Sequence, residues 1–523
     1  MKGMDAATRL VWEAIKNQST IVIYGDYDVD GVTATALLTR FFSELHTNCT
    51  PCHPDRFRHG YGLKAELVQA ASPARPGLVI TVDCGISDRI EVGRLVDLGW
   101  QVIVTDHHQP PSELPDAHAI INPWQEGCSF PIKNLAGVGV AFYLAMGIRS
   151  HLHRQNFWAD HPPPNLKKYL DLVAVGTISD MVPLRGINRL LTKVGLAVLA
   201  KTENRGLAEL LKQCHLPKGH HVSHEDIAFQ IGPRLNAAGR MGEASRASTL
   251  LSSNDETLVA NLANIIEQTN LDRRVQTSEL VEQAIASVRA QNDSDAPCVI
   301  VHGHDWHQGL LGIAASRLVD IYRKPVFILG GRGIVKGSVR SVPGIDIHEL
   351  IADCASEGKV LEYGGHCSAA GLSIYEKDVG LLRDTIYKKF CAGGLLNATE
   401  RPCLTIDLEV DHTLDLRELE QAWSILAPYG QGNPEPIFAT REPCRLRNMQ
   451  VIGKQKQHLR FSAHVADHWI DGIGFGFGNI ASLNGERELP IAFSLKQDRY
   501  NGQTRTKIGL IEILFAQERQ LLS

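Results

Sequence analysis

Thr20-Ile21-Val22-Ile23-Tyr24-Gly25-Asp26-Tyr27-Asp28-Val29-Asp30-Gly31 sets an apolar, β-branched run directly against three alternating carboxylates. A continuous Val/Ile run without polar alternation reads as a strand buried on both faces, the situation of a parallel sheet covered by helices. The pattern recurs. Leu78–Val82 (LVITV) runs into Asp83-Cys84-Gly85, and Gln101–Thr105 (QVIVT) runs into Asp106-His107-His108. Helical patterns over 32–45 and 88–98 separate the runs. The first 125 residues therefore predict an open α/β sheet, in which ligands bind outside the carboxyl ends of the strands. The three acidic loops should converge there.

Further along, 135–290 reads as mostly helical, and 255–290 has the periodicity and length of a connecting helix. Strands return at 298–302 and 325–329 around a helix at 313–322, which predicts a second, smaller α/β unit. From about residue 402 the texture becomes short apolar alternations broken by Gly, Pro and Asn, the pattern of an all-β module and plausibly a small barrel. The 523 residues, 44% apolar and 21% charged, describe a globular chain of several domains. No run approaches the ~18 consecutive apolar residues of a membrane span, and the opening residues carry no secretory signal. Eleven irregularly spaced cysteines make no disulfide framework. A cytoplasmic protein is expected.

Five carboxylates and two imidazoles in one crevice would repel or desolvate one another without cations. Divalent metals resolve that cost, and mixed carboxylate and imidazole ligation suits manganese somewhat better than an all-oxygen magnesium site. The plainer reading makes each Asp a turn residue or helix cap. It suffices for one loop, but turn chemistry does not require three such loops with a His-His pair. Gly31 at a helix N-terminus also favours an anionic phosphate.

DYDVDG, VDCGIS and TDHH resemble the first three motifs of the DHH phosphoesterase superfamily, and Val175-Gly176-Thr177-Ile178-Ser179-Asp180 is similar to its fourth. Gly232-Pro233-Arg234-Leu235-Asn236-Ala237-Ala238-Gly239-Arg240, Gly337-Ser338-Val339-Arg340-Ser341 and Gly364-Gly365-His366-Cys367-Ser368-Ala369-Ala370-Gly371 follow in order. The series, from about residue 5 onward, closely resembles the RecJ family of single-strand-specific exonucleases. That resemblance implies a parallel-sheet DHH domain (1–253), a connecting helix (254–291), a smaller α/β DHH-associated domain (292–396) and a C-terminal all-β OB-fold barrel (397–523). It implies two metal ions, Mn2+ or Mg2+, bridged by Asp83. Asp28 would bind one, and Asp30, His107 and Asp180 the other. Asp26 matches a motif position of the metal set, Asp106 would orient its loop or a histidine, and His108 would face the scissile phosphate.

Arg234 and Arg240, flanking Asn236, can clamp phosphates through guanidinium forks, although a lone Arg is more often paired with a carboxylate. Ser338, Arg340, Gly365 and His366 resemble substrate-binding positions of the DHH-associated domain. Without the resemblance, His366 reads as a core histidine. From Arg445 to Lys507 ten Lys and Arg face five Asp and Glu, a local +5 in a chain of net charge −5. Interleaved Phe461, Trp469, Phe475, Phe477 and Tyr500 make a basic, aromatic surface suited to single strands, or simply fill the module's core. Gly472, Gly474, Gly476 and Gly478 alternate along one face, explained as well by sheet curvature as by ligand approach.

Other signals are set aside. Cys49-Thr50-Pro51-Cys52-His53 spells a haem-attachment pattern where a strand is expected, and no export signal accompanies it. Cys84 sits among carboxylates that would raise its pKa and silence it as a nucleophile. No Walker loop is present, so no ATP hydrolysis is expected. The roughly two dozen residues before Asp26 are a shorter leader than the family usually has, either a late start or a missing helical piece.

The expected function is metal-dependent hydrolysis of single-stranded DNA from the 5′ end to mononucleotides, in DNA repair and recombination. The DNA polarity and single-strand preference come from the resemblance, as do a helicase and a single-strand-binding protein as partners of a monomer. Alternatives are a hydrolase of short oligoribonucleotides or cyclic dinucleotides, which would leave the basic C-terminal module unused, and a non-catalytic DNA-binding scaffold, which would not retain the acids.

Overall fold

The computed structural model describes residues 1–73, 75–159, 162–216, 219–291, 296–392, 403–453, 456–482, 487–500 and 503–514. The chain divides into two compact units, Met1–Asp180 with Val194–Arg401, and Met181–Lys193 with Pro402–Ser523.

The first unit opens on five parallel strands, β1 (Ile21–Gly25), β2 (Cys49–Cys52), β3 (Leu78–Val82), β4 (Gln101–Thr105) and β5 (Ala119–Ile121), in the order β2-β1-β3-β4-β5. Every residue of β1 and β3 is buried, as their unbroken apolar runs require. The register pairs Gly25 with Val82 and Val82 with Thr105. The strand ends are thus flush, and the next residues, Asp26, Asp83 and Asp106, leave the sheet side by side. The haem-like cysteines form β2 and are free thiols, as are the other described cysteines.

The helix Val29–Glu44 starts three residues before the apolar pattern suggests, because Asp28 caps it. It packs against the helices Gly137–Arg154 and Leu170–Ser179. The helix Glu256–Ala290, capped by Asp255, spans 35 residues, about 52 Å at 1.5 Å per residue. Its second half packs on β6 (Val299–Gly303) and the helix Leu311–Tyr322.

The second sheet of this unit adds β7 (Val326–Gly330), β8 (Ile334–Arg340), β9 (Glu362–His366) and β10 (Ala369–Tyr375) in the order β6-β7-β8-β10-β9. Only β6 and β7 are parallel. The motifs holding Arg340 and His366 lie on its antiparallel strands, which periodicity left unassigned because glycines interrupt them. The expected boundaries near 292 and 397 fall outside the described residues.

The second unit curls eight strands, β11 (Leu408–Val410), β12 (Phe438–Thr440), β13 (Cys444–Ile452), β14 (His458–Val465), β15 (His468–Gly474), β16 (Arg487–Leu489), β17 (Ile491–Tyr500) and β18 (Gln503–Ile513), in the order β11-β12-β17-β18-β15-β14-β13-β16. It is not all β. A helix, Leu416–Leu426, buries Leu416, Leu419 and Trp423 against the barrel core. Residues 181–193 join this unit, with the Leu184 amide donating to Gln431 at 2.7 Å. Phe461 fills the core, and a Cβ on Gly472 would lie 2.4 Å from its ring. That glycine therefore accommodates packing. No described helix is long and apolar enough to cross a membrane.

Candidate metal centre and phosphate pocket

The flush strand ends deliver the acids, and neighbouring elements aim them. Asp28 uses Oδ1 to cap the helix Val29–Glu44, accepting from the amides of Asp30 at 2.9 Å and Gly31 at 3.1 Å. The capping role is real, and it leaves the second oxygen available. Asp30, in the first turn, is fully buried, and its oxygens accept from the amides of Gly137 at 2.5 Å and Val138 at 2.8 Å. Those amides open the helix Gly137–Arg154, whose N-terminal dipole favours a carboxylate.

Asp83 has a φ of 62°, a left-handed conformation unusual for a residue with a Cβ. A side chain on Gly137 would stand 2.7 Å from the Asp83 Cβ, so the helix approaches this closely only as glycine. Asp106 accepts from the amides of Ile86, His107 and His108 and from His108 Nδ1 at 2.7 Å. Its capacity is spent on orienting this loop.

His107 Nε2 lies 3.0 Å from Asp83 Oδ1, 3.7 Å from Asp180 Oδ2 and 3.8 Å from Asp30 Oδ2. None of these is an aligned hydrogen bond: His107 Nε2, Asp83 Oδ1, Asp180 Oδ2 and Asp26 Oδ1 are all buried without a hydrogen-bond partner. Orphaned buried acceptors are costly, which points to a cation site. The spacings suit one, since metal–oxygen bonds of about 2.1 Å place adjacent ligands roughly 3 Å apart. Three overlapping trios bring their ligand atoms within 4.8 Å of one another, Asp26–Asp28–Asp83, Asp83–His107–His108 and Asp30–His107–Asp180. The close Asp83–His107 approach joins them.

The crowding of buried acids strains the electrostatics. Burial, then the charge of Asp28, pushes Asp30 up to about 7. Burial, then Asp30, pushes Asp180 up to about 9. Asp83 and Asp26 are raised well above the carboxylate range by burial and then by neighbouring acids. Burial, with His108 beside it, pulls His107 down to about 4, so its ring is held neutral, as a metal ligand must be. His108 differs: burial opposes its charge, but the Asp106 hydrogen bond and carboxylate push it up to about 9. Burial holds Cys84 far above the thiol range, which removes it as a nucleophile.

Beside the acids an open cavity of about 270 Å³ is lined by Asp26, Tyr27, Asp28, Arg56, Tyr61, His108, Asn236, Gly239 and Arg240. Asn236 and Arg240 reach it from one face of the helix Gly232–Met241, being four residues apart. Arg234 does not line it. Its guanidinium pairs with Glu267 at 2.5 Å and donates to the Gln230 carbonyl at 2.9 Å. Arg240 is pulled down to about 10 by burial and then by Arg56, Arg273 and Arg340, and Arg340 is lowered by burial and then Arg56. Clustered cations that repel one another make an anion site.

Ser338 and Arg340 share β8 and bond one another at 3.3 Å, outside the cavity lining. Gly365 and His366 end β9, where His366 is exposed and beside Ser368 Oγ at 3.0 Å, not in a core. Arg56 and Tyr61 escaped sequence reasoning. The signal was their loop, which follows β2 at the same sheet edge, but β2 is short and partly buried and ends in no acid.

In the second unit, Arg447 lies 3.6 Å over the Trp469 ring, which also contacts His464. Phe475 is exposed, while Phe477 packs against the core. Lys454, Glu486 and the side chains of Asp498, Arg499 and Tyr500 lie outside the described residues.

Residues 20–177 match the DHH family, N-terminal domain, residues 295–390 the DHHA1 domain, and residues 406–512 the RecJ OB domain. The chain is 36% identical to the single-stranded-DNA-specific exonuclease RecJ of Bacillus subtilis, over 92% of this chain and 59% of that protein. It is 34% identical to the Salmonella typhimurium protein of that name, over 98% of this chain and 90% of that one. The crystal structure of Thermus thermophilus RecJ in complex with Mn2+ matches with a TM-score of 0.80 at 29% identity, covering 98% of this chain and 72% of that one. The Mg2+ complex of the same protein gives 0.74.

Proposed function

This chain belongs to the RecJ family of single-stranded-DNA-specific exonucleases, and on that premise we propose that it hydrolyses single-stranded DNA from the 5′ end to mononucleotides. The observation that carries the reading is the overlapping trios of carboxylate and imidazole ligands, with four buried atoms lacking partners, beside an arginine-lined cavity.

Asp26, Asp28, Asp30, Asp83, His107 and Asp180 would hold two divalent cations, Mn2+ or Mg2+, with Asp83 shared. Such cations lower the pKa of an attacking water and neutralise phosphate charge. The chain's own groups do the rest. Asp106 fixes the orientation and proton of His108, whose other nitrogen is free to face a phosphate oxygen. Arg56, Asn236 and Arg240 hold the phosphate backbone, and Arg340, Ser338, Gly365 and His366 supply the facing sheet's contacts. Arg447 and Trp469 offer the second unit's strand-binding surface, stacking and charge combined. Action in DNA repair and recombination, a cytoplasmic location, a monomeric state, and a helicase and single-strand-binding protein as partners belong to the same proposal.

Digestion of single-stranded DNA labelled at either end, with manganese added, tests it. Immediate release of a labelled mononucleotide from the 5′ end, with the 3′ label kept on shortening strands, is expected. Turnover of dinucleotides with long strands untouched would overturn it in favour of a short-substrate hydrolase.

A further inference from the structure

A second cluster of ligands lies on the other sheet of the first unit. His302 and His304 flank Gly303 at the end of β6 and, two residues apart, point to the same side. Glu376 begins the turn that follows β10. One ligand atom from each of the three lies within 4.8 Å of the others.

Two of the three groups are also held from behind, His302 and Glu376. His302 Nε2 is 2.9 Å from the Gly331 carbonyl, a contact that fixes the ring's orientation. Glu376 Oε2 accepts from the Gly333 amide at 2.8 Å, while Oε1 meets His304 Nε2 at 2.7 Å. A ring nitrogen bound to a backbone carbonyl is the usual support of a metal-ligating histidine. A plain His304–Glu376 ion pair explains that contact; the His302 ring, edge-on at 5.1 Å from the His304 ring, adds a third donor to it.

We infer that His302, His304 and Glu376 form a zinc-type divalent cation site, separate from the acidic cluster. Two imidazoles and one carboxylate, with a fourth position left to water, are a ligand set that Zn2+ favours. The half-exposed His304 gives the ion a way in. A cation here would clip the ends of β6 and β10 around the turn between β7 and β8. The segment after β6 carries His307, whose ring lies 5.3 Å from that of Phe57, the neighbour of Arg56 in the cavity loop. The clip would therefore steady one border of the substrate cavity.

Equilibrium dialysis against Zn2+ tests the site without reference to nuclease activity. Three full-length chains are compared: the parent, His302→Ala/His304→Ala, and Asp83→Ala/His107→Ala. The parent should bind one more Zn2+ than the His302/His304 variant, and the Asp83/His107 variant should keep that ion. Glu376→Gln, which retains an acceptor for Gly333, should weaken the same ion at least about tenfold. Equal zinc binding by the parent and by Glu376→Gln, or by the parent and a folded His302/His304 variant, would overturn the inference.

Discussion

Asp83 Oδ1 and His107 Nε2 stand 3.0 Å apart at the ends of adjacent parallel strands, both buried, with no hydrogen bond between them. In the proposed function the contact is one edge of a coordination shell. Asp83→Ala is expected to lower hydrolysis by on the order of 10³-fold or more, the scale seen when a principal electrostatic group is removed. Single-strand affinity should change little, because the phosphate and stacking groups remain. Turnover near the parent rate would defeat the shared-ligand assignment.

Gly137 gives a test that leaves every ligand in place. Its substitution by Ala puts a methyl 2.8 Å from Asp83 Oδ1, so the carboxylate or the helix must shift. Gly137→Ala should remain folded by circular dichroism yet lose most activity, with a weakened response to added manganese. Parent-like manganese activation would show that the helix can yield without moving Asp83.

Arg234 and Arg240 belong to one helix but should behave differently. Arg240→Ala removes a guanidinium facing the cavity, and is expected to reduce kcat/KM and the salt dependence of binding, by about one unit of slope per lost phosphate contact. Arg234→Ala strands Glu267, so its main effect should be a lower thermal midpoint. The reverse pattern in steady-state kinetics and thermal melts would exchange their roles.

Trp469→Ala is expected to weaken binding of long strands by about 1–3 kcal/mol, the worth of one stacked base, and to leave dinucleotide hydrolysis alone. Filter binding with strands of graded length reads the difference. Equal affinity at every length would remove this face from the binding surface.

Asp171 predicts a pH effect away from the site. Burial pushes its carboxyl up to about 6, although Thr202 and the Leu172 amide bond it. A folded pKa above the unfolded value stabilises the protein below the unfolded pKa, and that contribution is lost as pH rises through about 6. Asp171→Asn should thus gain on the parent between about pH 4 and pH 8 by on the order of 3 kcal/mol, read by urea denaturation. A difference that stays constant across that range would contradict the assignment.

The chemistry was legible early because it is encoded locally. Unbroken runs such as LVITV mark strands buried on both faces, and the acids come directly after them. Contrasts between side chains within one element were not legible. Arg234 and Arg240 both resemble phosphate clamps in the linear string, and which one faces the cavity depends on where Glu267 sits, 33 residues away. His366 looked like a core residue without its motif and is exposed at a strand end. Arg56 gave only the faint signal of its loop after β2, which carries no acid at its end to mark it.

Apolar periodicity and charge crowding are local properties, so the linear string already carries the class of fold, the acidic loops and their demand for cations. The register that sets Gly25, Val82 and Thr105 level, and so brings Asp26, Asp83 and Asp106 together, emerges in the folded chain alone; so does the fact that Met181–Lys193 joins the C-terminal unit. The physical reason is common to both. Register and partner choice come from the packing of residues far apart in the chain, and a one-dimensional pattern carries no information about which distant surface a segment will bury against.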